Sequence, residues 1–257
     1  ISLDWPAPTD LDTKSAKYGH YQRFLYRVIH FLDLFPEWFS VVDPGKLKGA
    51  RTIDAIERLV LNTATIARPA PEVGSSKEEK SAKVTEAAIE SALLSLPAFA
   101  AHFGLQSDLI DRQFPVGLFE KLVSKDTRIF TGGKSAIDIV AVGNDGTKFF
   151  LFELKAGGFI PIGAISELLF YASVSRDAAG PGAKFAFNSG AESKAVDAAI
   201  VRALHVEKCT AIEAVLLVEN LHPLLQHPDL MGMLNNAVAR RWNTDTARKP
   251  QVHFRTV

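Results

Sequence analysis

The chain has 257 residues and a mass of 28.0 kDa, with 47% hydrophobic residues, 29 Lys plus Arg against 29 Asp plus Glu, and one cysteine, Cys209. A lone cysteine excludes an intramolecular disulfide and suits a reducing, cytoplasmic setting, and balanced charge counts against a tight nonspecific polyanion binder, which needs surplus Lys and Arg. No apolar run reaches the length of a membrane span and no charged-then-apolar signal peptide opens the chain, whose first residue, Ile1, reads as a processed or trimmed start.

Tyr21, Phe24, Leu25, Val28, Ile29 and Leu32 recur at helical spacing, as do Ile53, Ile56, Leu59 and Val60, so residues 1–66 are predicted as a helical N-terminal region. Its aromatic cluster, from Tyr18 to Phe39, could stack nucleobases; at helical spacing it reads as core or as the surface of a homodimer. Residues 67–83, with Pro and Gly breakers and a Ser-Ser-Lys-Glu-Glu-Lys run, read as a linker, and residues 84–257 as a second domain. There, Thr85 is placed to cap a helix to Ser95, with Ile89, Leu93, Leu94 and Leu96 inward, Pro97 near its end, and Glu86 and Glu90 on one face.

The most informative segment runs from Ala136 to Ala156, two apolar runs joined by Asn144-Asp145-Gly146. An Asp-Gly turn between β-branched and aromatic residues predicts a hairpin, with both turn residues at positive φ if the turn is type I′. Counting outward pairs Val142 with Phe149, Val140 with Leu151, and Asp138 with Glu153. Opposed residues have Cβ atoms about 4.5–5.5 Å apart, so two carboxylates there repel, and Lys155 lies on the same face one step on. Hard oxygen ligands converging this way suit Mg²⁺ or Mn²⁺. Glu-x-Lys occurs three times in the chain, and only Glu153 to Lys155 is embedded in an apolar run, where ionised residues are scarce unless paired or metal-bound.

Beyond the hairpin, helices are expected over Ile165 to Val174 and Ser193 to Leu204, and a buried strand over Ala214 to Val218. Hairpin strands apolar on both sides imply a mixed sheet with helices on both faces, an α/β fold. Residues 238–257 carry Arg240, Arg241, Arg248, Lys249 and Arg255 against Asp245 alone, which nominates this tail, Arg240, Arg241, Arg248 and Lys249 above all, as the phosphate-contacting segment. Gly133-Lys134-Ser135 is no P-loop, because Arg128 stands where that motif needs Gly and a strand follows instead of a helix. The histidines show no zinc spacing, and Cys209 reads as a buried structural thiol.

Ile137-Asp138 followed by Phe152-Glu153-Leu154-Lys155 resembles the PD-(D/E)xK nuclease superfamily, with Ile137 where the Pro of the name would stand. The helix with Glu86, the Asp111-Arg112-Gln113 strand and the helix from Ala164 to Tyr171 extend the resemblance over residues 84–175, in a layout similar to archaeal mismatch-type and flap-type endonucleases. The resemblance implies a restriction-endonuclease-like sheet flanked by helices, with an α-helical N-terminal extension. The implied activity is metal-dependent endonucleolytic hydrolysis, with DNA as partner and Mg²⁺ or Mn²⁺ as cofactor. It assigns the metal to Asp138, Glu153 and the Leu154 carbonyl, and a water-orienting or charge-countering role to Lys155. Glu86, eleven residues before Pro97, would complete the site, with Glu90 the alternative, and Glu167 stands where the family often has Gln. Two other expectations are kept: a catalytically idle interaction module of the same fold, and a metal-dependent phosphoesterase acting on RNA or nucleotides.

Overall fold

The hairpin lies at the heart of a five-stranded sheet. In a computed structural model of the chain, which describes residues 16–40, 59–62, 86–120, 127–130, 136–157, 163–188, 195–205 and 209–257, the elements follow in this order. They are α1 (Ala16–Leu34), β1 (Leu59–Asn62), α2 (Glu86–Ser95), α3 (Pro97–Phe103), β2 (Leu105–Pro115), β3 (Gly117–Glu120), β4 (Arg128–Phe130) and β5 (Ala136–Gly143). Then come β6 (Lys148–Lys155), α4 (Ala164–Ala178), β7 (Phe185–Asn188), α5 (Ala195–His205), β8 (Ala211–Val218), α6 (Pro228–Arg241) and β9 (Gln251–Thr256). The linker over 67–83, Thr85, Ser193, the Ile53 and Ile56 stripe and the Gly133-Lys134-Ser135 triplet lie outside the described residues.

The main sheet has the order β2-β5-β6-β8-β9. Strands β2, β5 and β6 are antiparallel neighbours, whereas β8 runs parallel to β6 and β9 parallel to β8. The fold is therefore mixed α/β, with helices on both faces of the sheet. On one face Ile139, Phe150, Phe152, Val215 and Leu217 meet Phe99 and the partly buried Leu93 and Phe103 of α2 and α3. On the other, Val140, Val142, Phe149, Leu151 and Leu216 pack under Leu168, Leu169, Phe170 and Val238 of α4 and α6. Strands buried on both faces are continuous apolar runs instead of alternating ones, and each fully buried Phe or Leu adds about 2 kcal/mol.

The N-terminal region departs from expectation. Tyr26 and Leu34 of α1, and Phe35 just after it, belong to the core shared with α4 and α6, so α1 is built into the main body. Phe24, expected on the inward stripe, is exposed, while Gln22 and His30 are buried. Leu59 and Val60, read as helical, are strand: β1 joins a second sheet of order β4-β3-β1-β7, parallel to β7 and antiparallel to β3. A short apolar run fits either period, and here tertiary pairing decided. Pro97 opens α3 at its first turn, where a missing N–H costs nothing, and β2 begins well before Asp111. The hairpin turn also differs from type I′. Gly146 has φ 68° but Asp145 is not at positive φ; the Gly146 N–H donates to Gly143 O at 2.8 Å, and the Asp145 carboxylate accepts the Thr147 and Lys148 amides.

Candidate active site

The hairpin register is the one counted from the turn: Val142 pairs with Phe149, Val140 with Leu151 and Ile139 with Phe152. One step further come Asp138 and Glu153. There the Asp138 carboxylate accepts the Leu154 N–H at 2.7 Å. Glu153 is only 3% exposed; its Oε1 accepts a hydrogen bond from the Lys155 ammonium, and its Oε2 has no partner among the described residues. Lys155 reaches across to Glu167 of α4 at 3.5 Å. The strand pair thus carries a carboxylate on each side of the ladder and a lysine two residues on.

Helix α2 contributes from the sheet's other layer. Glu90 is 2% exposed, its Oε1 accepting the Gln113 side-chain amide at 2.9 Å and its Oε2 unpartnered among the described residues. The same Gln113 amide stands 3.4 Å from Asp138 Oδ1, a marginal bond. Gln113 has φ 53°, the one positive-φ non-glycine among the described residues, and a backbone held in that region inside a strand is strained by about 1–3 kcal/mol. Glu86 is exposed and accepts the Ala156 N–H at 3.2 Å, just past Lys155. The Pro97 spacing favoured Glu86; burial and the bridge through Gln113 favour Glu90. One turn of helix separates the two, which is the uncertainty that spacing alone leaves.

Burial pushes the Glu90 carboxyl up to about 7, reinforced by the charge of Asp138. Burial also raises Asp138, against the pull of the Leu154 amide and Lys155, and raises Glu153, with Asp138 adding to the rise. Lys155 is held above its ordinary value by Glu153, Asp138 and Glu167, which together outweigh its own burial. The cluster is short of positive charge. Perturbed carboxyls converging at one end of a sheet mark a candidate functional site.

Further residues border the site that the sequence analysis did not nominate. Arg23 of α1 lies 3.8 Å from Glu167 and donates to the Tyr171 hydroxyl at 3.3 Å, and Arg27 donates to Ser166 Oγ at 3.3 Å. The available signal was two arginines four residues apart within an aromatic helix. Gln113 offered no comparable signal, because its strand is also polar at Gln106, Ser107, Asp108, Asp111 and Arg112.

The basic tail is a structural element. Residues 228–241 form α6 and 251–256 form the outer strand β9, whose backbone is held by side chains: Asn235 bonds both the N–H and C=O of Phe254, and Asn243 those of Val252. Such amide clasps occupy the polar groups that an edge strand otherwise leaves open. Lys249, nominated for phosphate contact, instead donates to the buried Asp177 at 2.8 Å, where Tyr26 and Lys184 also converge. Arg241 donates to Asp33 O at 2.9 Å, and Arg255 lies over the Phe103 ring at 5.0 Å. Arg248 sits where its carbonyl accepts the Gly182 N–H at 2.7 Å; a Cβ at Gly182 would meet that oxygen at 2.9 Å. Arg240 borders a surface cleft with Trp38 and Met233, beside α1.

Among the described residues no group of three or more His, Cys, Asp and Glu stands as a ready-made metal cage. Gln113 lies between Glu90 and Asp138, and Lys155 lies against Glu153. Cys209 is buried and free, its thiol pushed up to about 12 by burial, as a structural thiol should be. Among the described residues no helix is long and apolar enough to cross a membrane. Comparison with known proteins finds no matching family model, no matching curated protein and no matching solved structure.

Proposed function

We propose that the chain is a metal-dependent nuclease of restriction-endonuclease-like fold that hydrolyses phosphodiester bonds, with DNA as its substrate. The observation that carries this reading is the pair of orphaned buried carboxylate oxygens, Glu90 Oε2 and Glu153 Oε2, flanking Asp138 at the end of the sheet. Leaving a buried acceptor unsatisfied costs about 1–3 kcal/mol, more when it is charged, and hard oxygen donors of this kind fit Mg²⁺ or Mn²⁺. The order helix, three antiparallel strands, helix, parallel strand (α2, β2, β5, β6, α4, β8) also agrees with the layout that the residue pattern implied.

Asp138, Glu153 and Glu90 would hold the metal, with the Leu154 carbonyl beside them. When bound, the ion supplies Lewis acidity and a lowered pKa for coordinated water. Lys155, half-buried between Glu153 and Glu167, is placed to orient the attacking water or to balance charge on the phosphoryl oxygens. Gln113 keeps Glu90 and Asp138 within reach of one another, and Glu86 braces the Ala156 amide. The test is incubation of purified protein with single-stranded, duplex, branched and mismatched DNA, and with RNA, in Mg²⁺ or Mn²⁺. Cleavage that EDTA abolishes is expected, and absence of cleavage of every substrate overturns the reading.

One observation favours the idle interaction module. Lys155 and the Leu154 amide already occupy one oxygen of Glu153 and one of Asp138. A calorimetric Mn²⁺ titration separates the two, because the module predicts no saturable heat. The exposed Trp38 and Phe39 after α1, with Met233 of α6, are the surface through which a homodimer would form.

A further inference from the structure

Helix α1 places two arginines beside the carboxylate site, and only one of them forms an ion pair among the described residues. Arg23 and Arg27 are four residues apart, hence on one helix face, where like charges repel. Both guanidinium carbons lie against the same ring, Phe170, at 4.5 and 5.3 Å. Arg23 finds a carboxylate, Glu167, at 3.8 Å, but that carboxylate is shared with Lys155. Arg27 has no ion pair among the described residues; it donates to the Ser166 hydroxyl. The Nε atoms of both are buried without a partner among the described residues. Burial and the neighbouring Arg23 lower the Arg27 pKa from its ordinary value, so the pair is held together at a cost.

A guanidinium offers five N–H donors in a planar fork that matches two oxygens of a phosphate. Two such forks stacked on one ring, with vacant Nε–H groups, can grip a tetrahedral anion from two sides. We propose that Arg23 and Arg27 form a phosphate-holding subsite that seats a backbone phosphodiester of a nucleic acid next to the carboxylate site. The proposal uses the nuclease reading for the identity of the ligand, whereas the anion site itself stands on α1 and α4. It also answers the balanced net charge: backbone contact comes from a local pair in place of a basic face. The alternative source of the same chemistry is a free phosphate ion.

The experiment uses the full chain in Ca²⁺. A fluorescein-labelled 20-nucleotide DNA, single-stranded and duplex, is titrated against wild type, Arg23→Met/Arg27→Met and Arg27→Lys at several salt concentrations. Each lost phosphate contact flattens the slope of log K against log salt by about 0.7 to 0.9. The two arginines share one phosphate, so the double variant should flatten it by about 0.7 to 0.9, while Arg27→Lys keeps the slope and loses part of the affinity. An unchanged slope in a folded double variant overturns the proposal. If the double variant does not fold, arginine Nε–H resonances of wild type decide the matter: two should shift saturably with the oligonucleotide. Shifts with inorganic phosphate alone, and none with the oligonucleotide, would assign a free-phosphate site and overturn the backbone assignment. Wild type that binds DNA through this pair yet cleaves nothing with Mg²⁺ or Mn²⁺ would retain the subsite and remove the nuclease reading; cleavage with an unaffected salt slope would do the reverse.

Discussion

Glu90→Gln in metal-free protein tests the electrostatic account of the site directly. Glutamine keeps the shape, and its carbonyl oxygen can accept the Gln113 amide as Glu90 Oε1 does at 2.9 Å, but it removes a charge from a side chain only 2% exposed. The wild-type carboxyl titrates near 7 when folded and near 4.5 when not. The folded state therefore holds this proton more tightly, so stability contributed by Glu90 falls as pH rises from about 4.5 to about 7 and stays low above that. The difference corresponds to at most about 3 kcal/mol. Against it stands the new amide NH₂ where Oε2 had no partner, which costs about 1 kcal/mol. The variant should thus exceed wild type by about 1–2 kcal/mol at pH 8 in EDTA, or about 2–8 °C in Tm for a chain of this size, and by nothing at pH 5. Wild type alone cannot reveal this. Burial pushes His30 down to about 4, so stability tied to His30 is lost as pH falls from about 6.5 to 4, and the two slopes oppose each other. Denaturant unfolding of both proteins at pH 5 and 8 isolates the Glu90 term. A gap equal at both pH values, or a variant no more stable at pH 8, refutes the argument. Saturating Mn²⁺ should then raise wild type more than the variant and close the gap.

Asp138→Ala, Glu153→Ala and Lys155→Ala should each abolish cleavage while melting stays cooperative; near-wild-type turnover by any of them removes that residue from the site. Glu90→Gln should lower cleavage more than Glu86→Gln, reversing the order that the Pro97 spacing favoured, and kcat for the two variants on one substrate decides between them. Lys249→Met leaves Asp177 short of a partner in a nearly closed environment, so thermal unfolding should drop by about 3 kcal/mol, or about 6–12 °C. Its DNA affinity should keep the wild-type salt slope; a flattened slope would return the tail to the phosphate-contacting role that the sequence suggested.

The parts of the fold legible in the sequence are those where local signals agree. The Asn144-Asp145-Gly146 turn set the register of β5 and β6 although its backbone is not type I′, because a four-residue connection from Asn144 to Thr147 preserves the parity of the pairing. The helices over Glu86–Ser95 and Ala195–His205 carry apolar residues at helical spacing, Ala164–Ala178 is buried on nearly every side, and Ala214 to Val218 is an unbroken apolar run. Strand β1 was misread because Leu59 and Val60 also fit a helical stripe, and only their pairing with Phe119 and Phe185 strands distinguishes them. The C-terminal strand was missed for another reason: Val252 and Phe254 alternate inward between exposed Gln251, His253 and Arg255, a period-2 pattern hidden within a basic stretch read for its charge.

The site shows the same division. Asp138, Glu153 and Lys155 could be found because ionised residues interrupt apolar runs at positions one turn makes adjacent. Gln113 could not, and the arginine pair offered only its spacing, since both roles depend on long-range packing: α1 must cross α4 before Arg23 meets Tyr171, 148 residues away. That difference explains why the sequence tail looked like the cationic partner of the site. Charge density along a chain records neighbours in sequence, and Arg248 and Lys249 are dense there; what a phosphate would feel is charge left unneutralised in space. Lys249 is neutralised by Asp177 within 2.8 Å, whereas Arg27 has no carboxylate partner among the described residues. Lys249 therefore leaves the cationic set, whereas Arg240, Arg241 and Arg248 of the tail stay exposed with no ion pair among the described residues, as Arg27 stays without one beside the carboxylate site.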